Sequence, residues 1–175
     1  VHLWISGTPP VFFMNRDVPG ERFRFSLAHE LGHAVMHHSS ALDDVEDQAQ
    51  LFASEFVMPR ATIRLDLRGL NLESAARLKR VWKVSMAALI MRAGHLREIG
   101  EATRRRLFSH LSARGYRMNE PWPVPLEEPT TFSRLVNFHK ADLGLTDDEL
   151  RRDVFFTDQL GPIELKPKLR VVRDT

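Results

Sequence analysis

Apolar residues recur at helical spacing in two neighbouring stretches near the start of the chain. From about Glu21 to His38 the positions Leu27, Leu31 and Val35, with Ala28 and Ala34 beside them, predict one helix. Ser39-Ser40 interrupts the pattern. Val45, Ala49, Phe52, Ala53 and Phe56 then mark a second helix that stops at Met58-Pro59, because proline cannot continue it. Before the first helix, Pro10-Val11-Phe12-Phe13-Met14-Asn15 is a short apolar run followed by Asp17-Val18-Pro19-Gly20, which reads as a strand and a turn. Prolines at its entry favour an edge position.

Beyond Pro59 the pattern through Leu78, Val81 and Trp82 predicts a helix over 73–82, and another restarts near Ser85 with Met86, Leu89 and Ile90. A longer helix is expected over about 101–113. Asn119-Glu120-Pro121-Trp122-Pro123-Val124-Pro125 is too proline-rich for regular structure and reads as a linker or wrapping loop. Further on, Thr146-Asp147-Asp148-Glu149 has the form of a helix-starting capping box, and Ile163 to Val172 alternates weakly like a strand. The chain contains no internal repeat. The expected organisation is a main domain over 1–118, a proline-rich segment over 119–129 and a small appendage over 130–175.

A length of 175 residues suits one good core with such an appendage. No apolar run approaches the ~18 residues needed to cross a bilayer, which argues against a membrane protein. There is no cysteine, so a metal would have to be held by His, Asp or Glu, and a reducing cytoplasm is the expected compartment. The chain opens at Val1 without an initiator Met or a signal-peptide pattern, and is expected to be the C-terminal part of a longer protein. The net charge of +2 hides a polarised distribution. Residues 1–59 carry 3 basic against 8 acidic side chains, 60–117 carry 14 against 4, and 118–175 carry 8 against 11. The basic middle could meet nucleic acid or an acidic protein segment, but helices with solvated arginine faces give the same count, and that reading is preferred.

The chemistry concentrates in His29-Glu30-Leu31-Gly32-His33. Residues four apart on a helix share a face, so His29 and His33 can ligate one ion, Zn2+ above all, while Glu30 can lean over it as a base. Zinc suits neutral imidazoles plus a carboxylate. A pairing of His33 with His37 instead would lack the interior glutamate that hydrolysis needs. His37 and His38 are therefore read as cations favoured at a helix C-terminus.

Asp43, Asp44, Glu46 and Asp47 all follow closely enough to supply a third ligand. Glu46 falls on a stripe with Ala49, Gln50 and Ala53, whose modest side chains would let the second helix come close, whereas Glu55 should face water. The competing account is structural, since Asp43-x-x-Glu46 is itself a plausible capping box. The two roles are compatible, and ligation by Glu46 is preferred because two histidines alone would leave the site without an anionic ligand.

Arg24-Phe25-Ser26-Leu27-Ala28-His29-Glu30-Leu31-Gly32-His33, followed by Glu46-x-x-Ala49-Gln50-x-Phe52-Ala53-x-x-Phe56-Val57-Met58-Pro59, resembles the ImmA/IrrE family of bacterial metallopeptidases. The run Pro10–Asn15, the stretch Leu78–Ile90 and Gly115-Tyr116 extend the similarity over most of residues 9–120. Gln50 departs from the Asn common in the family, which touches only a hydrogen bond behind the site. The resemblance implies a zinc endopeptidase that cuts a helix-turn-helix repressor or antitoxin, with His29, His33 and Glu46 as ligands. Elements and resemblance together give an α+β class: a mainly helical, zincin-like metallopeptidase with a small sheet beside the active-site helix. Val11, Phe12, Phe13 and Met14 are the expected substrate-binding strand, because an edge strand can pair with a peptide backbone.

The main alternative is a DNA-binding module, since the helix over 73–82, the break at Lys83-Val84-Ser85 and the helix after it imitate a helix-turn-helix over 73–93. The second helix opens Ser85-Met86-Ala87-Ala88-Leu89-Ile90, too apolar to read base edges, so direct nucleic-acid binding is not expected. Tyr116, His95 or an arginine could polarise a scissile carbonyl, but no spacing ties any of them to the metal.

Overall fold

A computed structural model describes residues 2–3, 10–37, 44–146 and 148–150. The described residues are mostly helical. Strands β1 (His2–Leu3) and β2 (Val11–Phe12) pair antiparallel, with His2 opposite Phe12 and Leu3 opposite Val11. Within the expected strand over Pro10–Asn15, pairing among the described residues covers Val11 and Phe12. Seven helices follow among the described residues: α1 (Gly20–Met36), α2 (Val45–Val57), α3 (Arg60–Ile63), α4 (Leu72–Trp82), α5 (Met86–His95), α6 (Glu101–Ala113) and α7 (Thr131–Asp142). None of them is long and apolar enough to cross a membrane.

Backbone contacts divide the chain into two compact units, Val1–Glu127 and Glu128–Thr175. In the first, α1 packs against α2, and α4, α5 and α6 pack together. The core joins Ala28 of α1 and Ala53 and Val57 of α2 to Ile63, Leu89 and Leu111. Helix starts are set locally. Asn71 Oδ1 accepts from the Ser74 amide at 2.9 Å while Ser74 Oγ accepts from the Asn71 amide at 2.9 Å, a reciprocal cap that begins α4. Ser85 Oγ accepts from the Ala88 amide at 3.0 Å and begins α5.

α1 has no side-chain cap. The proline-rich segment takes that role, since the Gly20 amide donates to the Val124 carbonyl at 3.0 Å. A Cβ on Gly20 would stand 2.3 Å from the Pro125 carbonyl oxygen, so only glycine admits the crossing. Beside it Lys79, fully buried, pairs with Glu21 and, at 2.8 Å, with Glu120. Glu21 also accepts from the Val124 amide, and Glu120 from the Met86 amide. Burial raises the Glu21 carboxyl. The Lys79 hydrogen bond, two backbone N–H groups and the Lys79 charge together outweigh it and hold the group below its ordinary value of 4.5.

In the second unit, α7 covers residues to which the sequence assigned no element. The capping box at Thr146 forms, with the Thr146 amide donating to Glu149 Oε2 at 2.8 Å and the Glu149 amide to Thr146 Oγ1 at 3.3 Å. The strand expected over Ile163 to Val172 lies outside the described residues.

Candidate metal centre

Gly32, between the two histidines of α1, faces α2 with no side chain. A Cβ there would lie 3.1 Å from Phe52 Cδ1 and 3.3 Å from Ala49 Cα. Ala49 and Ala53 are fully buried beneath it. This run of small residues brings the helices close enough for the first turn of α2 to reach the imidazoles of α1. Gln50, placed by the sequence on the same stripe, is exposed instead. The contact is narrow, and a residue 100° round the helix from Ala49 falls outside it.

Three side chains converge across the junction. His29 Nε2 and His33 Nε2 stand 3.1 Å apart, and Glu46 reaches both, Oε2 at 3.3 Å from His29 and Oε1 at 3.3 Å from His33. Among the described residues they form the one cluster of His or acidic groups able to hold a metal ion. A neutral imidazole carries one N–H and an ionised carboxylate none, so the three groups turn more lone pairs than protons toward one another. A cation at their centre satisfies that arrangement. Burial pushes the His33 imidazole below its ordinary value of 6.5, and His29 and His37 add to this, outweighing the upward pull of Glu46 and Glu30. The neutral form, the one that ligates, prevails at neutral pH. Glu30, half-buried, occupies the position after His29.

α2 starts after Asp44, whose backbone is left-handed (φ 72°) and whose side chain makes no capping bond. Asp43, the other half of the supposed capping box, lies outside the described residues.

His37 stands at the C-terminal cap of α1 and makes two further contacts. Its Nδ1 stands 3.1 Å from His33 Nδ1, and its Nε2 stands 3.1 Å from Gln48 Oε1. The signal in the sequence was the spacing of four between His33 and His37, but spacing does not tell which ring nitrogen of His33 is engaged. His38 lies outside the described residues. Glu55 is exposed as expected, yet it accepts from the Arg60 amide at 2.8 Å and pairs with Arg92. Tyr116 packs against the core.

The family model Peptidase_M78, described as the IrrE N-terminal-like domain, matches residues 1–93, just over half of the chain and all of the converging side chains. The chain belongs to this family. The ImmA/IrrE resemblance read from the sequence is thereby shown, and a metallopeptidase role comes with it. No curated protein and no solved structure matches the IrrE-like chain. The matched segment ends within α5, so it spans α1 and α2 entire together with Lys79 and Arg92, while Glu120 and Val124 lie beyond it.

Proposed function

We propose that this IrrE-like chain is a zinc endopeptidase acting on a protein in the cytoplasm, its substrate a helix-turn-helix repressor or antitoxin whose cleavage relieves transcriptional repression. The observation that carries the reading is the triangle of His29, His33 and Glu46. Zinc bonds of about 2.0–2.1 Å in tetrahedral geometry put ligand atoms about 3.3 Å apart. The separations of 3.1, 3.3 and 3.3 Å agree with that spacing. Two imidazole nitrogens with one carboxylate also suit zinc better than magnesium or calcium, which prefer oxygen throughout.

When bound, zinc supplies a Lewis acid that polarises a peptide carbonyl and acidifies water toward neutrality. The remaining work falls to the chain. His29, His33 and Glu46 would hold the ion. Glu30 takes the proton from the attacking water and returns it to the departing amine, a carboxylate being able to carry it both ways. The substrate lies extended beside Val11, Phe12, Phe13 and Met14. Val11 and Phe13, alternate residues and so on one face of an extended segment, are 50% and 61% exposed and offer apolar contact to a peptide.

Direct DNA reading by the 73–93 segment is disfavoured. Met86, Leu89, Ile90 and Ala93, the face that would open a recognition helix, are fully buried. Much of the basic middle stretch is engaged within the protein, as in Arg64 with Glu98, Lys83 with Glu127 and Arg104 with Glu101.

The test is metal analysis joined to cleavage. Near-stoichiometric zinc should be retained after mild dialysis and lost in His33→Ala, and Glu46→Ala should weaken it far more than Asp43→Ala. The zinc-loaded protein incubated with the repressor encoded beside it should give a metal-dependent cut. Absence of zinc from the purified protein, or cleavage that survives chelation, would overturn the proposal.

A further inference from the structure

Behind the three proposed ligands runs a second row of polar contacts. His33 Nδ1 faces His37 Nδ1 at 3.1 Å, and His37 Nε2 faces Gln48 Oε1 at 3.1 Å. The row joins the C-terminal end of α1, His37 being its cap, to the first turn of α2, and engages the ring nitrogen of His33 opposite the one near Glu46.

The contacts determine one another in order. An amide oxygen can only accept, so the hydrogen between His37 and Gln48 belongs to His37 Nε2. A neutral imidazole has one N–H, which leaves His37 Nδ1 bare and able only to accept. The hydrogen between the two Nδ1 atoms therefore belongs to His33. With that hydrogen placed, His33 Nε2 is bare, and Nε2 is the atom that stands 3.1 Å from His29 Nε2 and 3.3 Å from Glu46 Oε1.

We propose that Gln48 and His37 are positioning residues that fix the tautomer and orientation of His33, so that its Nε2 lone pair is presented to the metal before any metal binds. The inference rests on the zinc reading above and deepens it. A ligating histidine needs a partner on its second nitrogen to set which nitrogen is free, and removing such partners typically costs 10- to 100-fold in metal affinity. The usual partner is a carboxylate or a backbone carbonyl, which accepts without help. An imidazole accepts reliably only when its own other nitrogen is held as a donor, and Gln48 supplies that hold.

A simple tie between α1 and α2 would use the same contacts, so the experiment must separate a tie from a relay. Zinc affinity of the full chain is measured by competition with a chromophoric chelator, and the His33 tautomer of the metal-free protein is read from two-bond 1H–15N spectra. Gln48→Met keeps the length at an exposed position, adds no charge and removes the acceptor. His37→Gln keeps an acceptor opposite His33 Nδ1, whereas His37→Leu does not.

The relay predicts that wild-type metal-free His33 is the Nδ1–H tautomer. Gln48→Met and His37→Leu should lose that uniform tautomer and bind zinc about 10- to 100-fold more weakly. His37→Gln should restore both properties. Wild-type zinc affinity in Gln48→Met with the His33 tautomer unchanged, or an Nε2–H His33 in the wild type, would overturn the relay while leaving the zinc site standing. Should His37→Leu fail to fold, Gln48→Met decides alone. A wild-type protein that binds no zinc would remove the metal reading and the relay together.

Discussion

Gly32→Ala tests whether the close approach of α1 and α2 serves the site. Two opposed effects set its magnitude. Alanine in a helix interior is favoured over glycine by about 0.8–1.0 kcal/mol. Against that, the new Cβ would stand 3.1 Å and 3.2 Å from Phe52 side-chain carbons and 3.3 Å from Ala49 Cα, where carbon contacts relax to about 3.5–4.0 Å. The half-buried Phe52 ring, stacked on the exposed Phe56, can tilt outward. Ala49 Cα is backbone and moves only with α2. Overpacking of this kind typically costs about 1–3 kcal/mol, so the net change in stability is about 0–2 kcal/mol unfavourable. Glu46 lies one turn from Ala49 and would be carried away from the histidines by a few tenths of an ångström, against a tolerance of about 0.5 Å for such sites. Zinc affinity should fall roughly tenfold, within the range for disturbed support of a ligand. Thermal melting of the metal-free protein and chelator competition give the two numbers. A variant about 1 kcal/mol more stable with unchanged zinc affinity would refute the reasoning, since alanine would then fit without displacing α2.

Glu30→Gln should keep zinc and fold but lose about 10²–10⁴-fold in peptide cleavage, and full activity with metal content confirmed would exclude Glu30 as the base. Lys79→Met strands two buried carboxylates and should cost about 3–5 kcal/mol in denaturant unfolding, with much of the loss recovered in the triple variant that adds Glu21→Gln and Glu120→Gln. The depressed Glu21 carboxyl contributes stability that is fully present above its unfolded value of 4.5 and disappears as the pH falls through its lower folded value. Glu21→Gln should therefore flatten the acid limb of a stability-against-pH curve below about pH 4.5, and an unchanged limb would assign acid unfolding to other groups. Chelation should lower the melting temperature of the loaded protein, because a ligand bound only by the folded state stabilises it by RT ln(1 + [L]/Kd), and no shift would contradict specific binding.

The sequence was most informative where its pattern is local. The 3.6-residue period gave α1, α2, α4, α5 and α6, and the spacing of His29 from His33 placed both imidazoles on one face, because these relations lie within a few turns. α3 escaped notice because four residues are too few to display a period. Lys79 read as one more solvated charge in a basic stretch. Its partners Glu21 and Glu120 lie 58 and 41 positions away, and only tertiary packing makes it a buried ion. The contact of His37 was hidden for a related reason: the sequence places it at the end of α1, but only packing brings Gln48 of the next helix, eleven positions on, to its Nε2. Glu46 was legible because the stripe of Ala49 and Ala53 identifies the inner face of α2, whereas the narrowness of that face, which excludes Gln50, was not.

The two helices of the site are anchored at points remote from it, which separates stability from affinity. α1 is held at its start by the Gly20 contact with Val124 and by Glu21 on Lys79. α2 is held at its end, where the buried Arg92 donates to the Met58 carbonyl at 3.0 Å and pairs with Glu55. The converging side chains sit in the second half of α1 and the first turn of α2, between these anchors. Weakening an anchor lowers the population of the folded state without altering the triangle in molecules that remain folded, so Lys79→Met should change the melting temperature and leave the zinc affinity of the folded fraction intact. Changing the spacing at Gly32 or the row through His37 and Gln48 acts on the triangle itself. Affinity should then move, with little change in melting of the metal-free protein at Gln48 and a loss of at most about 2 kcal/mol at Gly32, and a variant series in which affinity followed stability at every position, Lys79 included, would mean that the anchors and the site are one cooperative unit.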